Sequence, residues 1–182
     1  MLNAKIFCTD GKPSDRDIRG LRRLLPVLDI TWGEYHGGFQ TQYVIYNALS
    51  FPWLKTILIG DYDVKCLVTT RERLEAVGIF NHIGLYNLDD DGTHDFYISL
   101  AKDIDKRALA NGFHSNFEWD FCHEYLHGVV WKRYNDRKIA NDLVHQWEKD
   151  GLLKQKIAEH VADYNSKLSL IALLTQKLKS LL

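Results

Sequence analysis

The sequence predicts an α+β fold, a mixed β-sheet followed by a helical half, and three observations carry that prediction. Short runs rich in β-branched and aromatic residues, separated by turn signals, fill residues 4–101. From about residue 116 the apolar positions recur at spacings of three and four, and strand signals stop. The 182 residues are 46% hydrophobic and 26% charged, the length and balance of one folded domain.

Residues 4–9 (AKIFCT) read as a strand and Asp10–Pro13 as a turn. Ser14 then suits a helix N-cap, with Asp15 and Asp17 in the first turn and Ile18, Leu21, Leu24 and Leu25 on one face. Pro26 ends that helix. Residues 28–35 form a second strand, broken at Gly37-Gly38. Residues 40–50 fit strand and helix equally, and Phe51-Pro52-Trp53 is a loop. Residues 55–60 and 64–70 read as strands, 71–77 as a short helix, and 79–86 and 95–101 as two more strands. Asn87–His94 is expected to be their hairpin loop, turning at Asp91-Gly92. Helices are expected at 116–134 and 137–150. Residues 1–150 thus form the main domain, and residues 151–182 a C-terminal amphipathic helical segment.

Charge and cysteine usage narrow the classes. Lys+Arg number 23 and Asp+Glu 24, a net charge of -1 that gives no electrostatic case for a nucleic-acid partner. No apolar run approaches the roughly 18 residues of a spanning helix, and the N-terminus has no signal-peptide core, so no membrane partner is expected. Cys8, Cys66 and Cys122 are three and widely spaced, forming neither a disulfide framework nor a CxxC knuckle. A cytoplasmic protein with reduced thiols is expected.

The sharpest feature is His123-Glu124-Tyr125-Leu126-His127, the pattern HExxH. On a helix the two histidines lie one turn apart on one face, so both imidazoles reach one ion. Glu124, rotated about 100° from His123, can hold a water against that ion and take its proton. The context fits. Ser115 or Asn116 can cap the segment, and Glu118 and Asp120 complement the helix dipole. Trp119, His123, Leu126, Val130 and Tyr134 form one stripe, while Phe117, Phe121, Cys122, Tyr125 and Val129 cover much of the remainder. A helix apolar on nearly all sides is buried, and buried histidines and a glutamate need something to satisfy them.

The segment resembles the active-site helix of the zincin metallopeptidases. The resemblance implies one Zn2+ per chain held by His123 and His127, with Glu124 as general base in peptide-bond hydrolysis. It is supported by the order of elements, a mixed sheet before the motif helix and more helices after it. It also implies an edge strand that binds extended substrate by backbone pairing, for which residues 95–101 are the nearest candidate. The third ligand is left open. The metzincin pattern fails at Val130 and Arg133. A gluzincin-like ligand set takes a glutamate from the following helix, and Glu148, 21 residues after His127, is favoured. The companion acid four positions later is Leu152 instead. Asp136, His145 and Asp142 are the alternatives: Asp136 also suits an N-cap, and His145 lies off the apolar face marked by Leu143, Val144 and Trp147.

Asn87, Asp89, Asp91, Gly92 and Asp95 resemble half a calcium loop, but Ile98 stands where its bidentate glutamate belongs. A solvated hairpin turn explains them better. His36, His82 and His94 read as ordinary polar positions. Tyr125, Tyr134, Tyr164 and His160 are candidates for an oxyanion donor. After Gly151 the chain has no Gly or Pro, and Ile157, Val161, Tyr164, Leu168, Ile171, Thr175, Leu178 and Leu182 alternate in steps of four and three. That seam either docks on the domain or meets a second copy or partner helix. The sequence therefore predicts a small zinc metallopeptidase acting on peptide or protein substrates. Its alternative is an interaction protein that uses its C-terminal helix for partner binding or self-association.

Overall fold

The computed structural model describes residues 1–8, 12–34, 62–69, 84–88, 94–99 and 105–181. The expectations for residues 40–50, 51–53, 55–60 and 71–77, and for His36 and His82, lie outside the described residues. Strand β1 (Leu2–Cys8) leads into helix α1 (Asp15–Leu24). Ser14 Oγ accepts the Asp17 amide at 3.2 Å and the Asp17 carboxylate accepts the Ser14 amide at 3.0 Å, a reciprocal capping box. Helix α1 buries Ile18 and Leu21 and is capped by Leu25, ahead of Pro26. Strands β2 (Leu28–Glu34), β3 (Val64–Thr69), β4 (Gly84–Leu88) and β5 (His94–Ser99) complete a five-stranded sheet of order β2-β1-β3-β5-β4.

The sheet is mixed. β1 runs parallel to β2 and β3, and β3 parallel to β5. Among the described strands only β4 is antiparallel to its neighbour, β5. The chain is thus mixed α and β, and the expected helix after Ser14, α1, is the crossover of the parallel pair β1–β2. β3 lies mid-sheet, and its residues Val64–Val68 are buried throughout, the pattern of a parallel strand covered on both faces.

Two expectations are corrected here. Asn87 and Leu88, expected in the hairpin loop, complete β4 opposite Asp95 and His94. Cross-strand pairing overrides their turn-like composition. Residues 95–99 of the segment expected to supply the edge strand instead lie in the interior strand β5, and β4 forms the edge among the described strands.

Four helices follow. α2 (Lys106–Ala110) has no counterpart in the sequence reading; its N-cap Asp105 accepts the Arg107 amide at 2.7 Å. α3 (Asn116–Tyr134) has the expected bounds, with Ser115 Oγ accepting the Glu118 amide at 3.1 Å and Asn135 ending it in the left-handed region at φ 51°. α4 (Arg137–Lys149) is capped by Asp136, which accepts the Ile139 amide at 3.0 Å. Gly151, at φ 70°, then turns the chain into α5 (Leu153–Leu181). A side chain there would press on the Ala110 carbonyl at 3.0 Å.

One core joins these parts. Ala4, Ile6 and Cys8 of β1 and Val64, Cys66 and Val68 of β3 share a face with Ile18, Leu21, Phe117, Phe121, Cys122, Tyr125, Val144 and Ile157. Every residue of α3 from Asn116 to Gly128 is buried. Gly20 leaves room on α1 for the carboxylate of buried Glu118. Asn111 is the polar tie between the helices: its Nδ2 donates to the carbonyls of Arg107 (3.0 Å) and Glu148 (2.9 Å), and its Oδ1 accepts the Leu153 amide (3.1 Å). It is 2% exposed. Replacing it with leucine strands the Leu153 amide, while the Arg107 and Glu148 carbonyls keep the Asn111 and Gly151 amides, and Asn111→Leu is expected to lower unfolding free energy by about 1–3 kcal/mol in urea titrations.

Candidate metal centre

α3 and α4 are adjacent antiparallel helices joined by the turn at Asn135 and Asp136, and their facing sides bring three imidazoles together. His123 and His127, one turn apart on α3, set their Nε2 atoms 3.0 Å apart. Two nitrogens on one tetrahedral zinc stand roughly 3.3 Å apart, given Zn–N bonds of about 2.0–2.1 Å. His145 of α4 completes the group, its ring centroid 5.3 Å from that of His123 and 5.1 Å from that of His127. One ligand atom from each residue lies within 4.8 Å of the others.

The surroundings hold His123 and His127 in the form that binds metal. Burial, then His127, His145 and Arg107, keeps His123 well below the ordinary histidine range. Burial, then His145 and Arg137, lowers His127 to about 3. Both are therefore neutral at pH 7, with a lone pair available. Nδ1 of His123 is buried and has no hydrogen-bond partner among the described residues.

Glu148, favoured from the sequence as third donor, is placed behind His123 rather than beside the converging nitrogens. Its Oε2 lies 3.6 Å from His123 Nδ1, while the Nε2 of that ring faces His127. That distance is an ion-pair contact and slightly long for a hydrogen bond. The other carboxylate oxygen is 3.4 Å from Arg107 Nη1. Arg107 in turn bonds Asp105 at 2.9 Å, and its guanidinium stands over the Trp119 ring at 4.8 Å. A carboxylate behind the non-ligating nitrogen fixes tautomer and ring orientation in metal sites. Asp136 is spent on the N-cap of α4, and Asp142 is exposed.

Glu124 is 7% exposed and sits among acids. Burial, then Asp120 and Glu148, holds its carboxyl well above the ordinary range. Burial does the same to Asp120, whose Oδ2 has no partner among the described residues. A divalent cation amid the three imidazoles would draw both carboxyls back toward the ionised form. The oxyanion candidates divide. Tyr125 Oη pairs with His160 Nε2 at 3.1 Å between α3 and α5, with Tyr164 beside them at 6.4 Å from His160, and Tyr134 is exposed. Of these, Tyr125 lies about 200° around α3 from His123, on the side away from the imidazoles. Arg107 and Asn111 belong to this surround without any signal in the sequence, whereas Trp119 lies on the His123 stripe that the sequence shows.

No protein-family model, curated protein or solved structure matches the chain.

Proposed function

We propose that the chain is a small zinc-dependent metallopeptidase with a zincin-like core. The observation that carries this reading is the convergence of partly buried His145 of α4 on His123 and His127 of α3, both buried and neutral, with a buried glutamate next after His123. In this reading the three imidazoles hold the metal. Zinc there supplies Lewis-acid polarisation of a peptide carbonyl and of a water. Glu124 accepts the proton of the attacking water and returns it to the departing amine. Glu148 orients His123, and Arg107 anchors Glu148.

Strand β4 supports the reading further. Among the described strands it is the antiparallel edge of the sheet, and α3 packs against both β4 and β5. An extended peptide adding to that edge by backbone hydrogen bonds runs alongside the motif helix. Buried Cys8, Cys66 and Cys122 suit a reducing, cytoplasmic setting.

A peptide library incubated with the zinc-loaded chain, with new termini read by mass spectrometry, tests the hydrolytic part. Cleavage that a chelator abolishes and added zinc restores is expected. Intact peptides after incubation with fully loaded protein would leave a metal-binding protein without peptidase activity.

A further inference from the structure

Helix α5 changes character along its length. Leu153 and Ile157 are buried, and Val161 and Tyr164 pack partly against the core. From Asn165 to Gln176 every residue is exposed. Leu168, Leu170, Ile171, Leu173, Leu174 and Leu178 are 43–64% exposed, six of the ten exposed large hydrophobics among the described residues. At about 100° per residue, five of the six, all but Leu173, fall within one arc of roughly 160°. That is wider than the two-position seam of a coiled coil. The charge here has one sign: after Asp163 the sequence has Lys167, Lys177 and Lys179 and no Asp or Glu. Positions 179 and 177 border the arc, each about 20° outside it, whereas Lys167 lies within it and bonds Asp163 at 2.8 Å.

We propose that this distal part of α5 is an in-plane anchor for an anionic lipid surface. Leucines sink to the acyl boundary, while lysines at the border extend to anionic headgroups. A basic amphipathic helix is the form such anchors take. A second copy of the chain fits less well, because two such faces bring lysines together with no acid to pair them. No helix among the described residues is long and apolar enough to cross a membrane. Lying on a bilayer is a different demand from crossing it, and the absence of a spanning run speaks only to crossing.

Co-sedimentation of the full chain with vesicles tests this. Vesicles of phosphatidylcholine with phosphatidylglycerol are expected to retain it, and vesicles of phosphatidylcholine alone to retain much less. Ile171→Ser with Leu174→Ser should weaken retention more than about 100-fold. Lys177→Gln with Lys179→Gln should weaken it about 30-fold, and high salt should weaken retention of the parent as well. Both variants should match the parent in thermal unfolding, since these positions are not part of the core. No retention by anionic vesicles at low salt overturns the proposal, as does equal retention by neutral ones. Light scattering that shows a dimer dissociated by Ile171→Ser with Leu174→Ser overturns it in favour of a second copy.

Discussion

His145→Ala is expected to strip the metal from the centre, and Glu148→Gln to leave it bound but weakened. His145 shares the ligand cluster with His123 and His127, whereas Glu148 approaches the far nitrogen of His123 at 3.6 Å. Loss of a carboxylate behind a ligating histidine lowers metal affinity by about 10–100-fold. Loss of one of three ligands should exceed about 100-fold. Cobalt substitution separates the two roles. Glu148→Gln should keep the visible absorption of the parent's cobalt form, because the ligand set is unchanged, and His145→Ala should lose it. The opposite pattern would make Glu148 the third ligand and His145 a bystander.

Glu124→Gln is expected to keep the metal, lose cleavage by about 10²–10⁴-fold, and stabilise the metal-free protein at alkaline pH. The last effect follows from burial, with Asp120 and Glu148 adding, which holds the Glu124 carboxyl well above 4.5. A carboxyl raised in the folded state supports folding below its unfolded value, and that support fades as pH climbs through the folded one. At pH 8 the unfolded chain gains by ionising Glu124, and glutamine removes that gain. Metal-free Glu124→Gln should therefore melt above the metal-free parent at pH 8, with the gap closing toward pH 4. Equal melting temperatures at pH 8 would show that Glu124 is not held protonated by its surroundings. His127 has the opposite sign: with a folded value of about 3 against 6.5, its contribution is lost as pH falls from 6.5 toward 3.

Local signals were legible where structure is local. Ser14 and Ser115 cap the helices that their sequences announce, and α3 runs from Asn116 to Tyr134 because its caps and its nearly all-round apolar character agree. What the sequence hid is non-local. Positions 145 and 148 differ by about 60° around α4, so the roll of α4 about Ala140 and Val144, which are buried against the core, decides which one meets the motif. No spacing along the chain records that roll. Strand alternation likewise does not tell which arm of the β4–β5 hairpin inserts beside β3. The five residues of α2 are too few to show a period, yet they bring Arg107 to Glu148. The seam of α5 was legible as a repeat, but its division near Tyr164 into docked and exposed parts depends on where the core ends.

The most direct test of the central claim is the metal content of the full chain, purified without chelator and titrated with zinc. About one zinc per chain is expected, displaced by chelator and absent from His123→Ala. A chain that binds no zinc, or binds it equally well after His123→Ala, contradicts the metal centre and the peptidase reading with it.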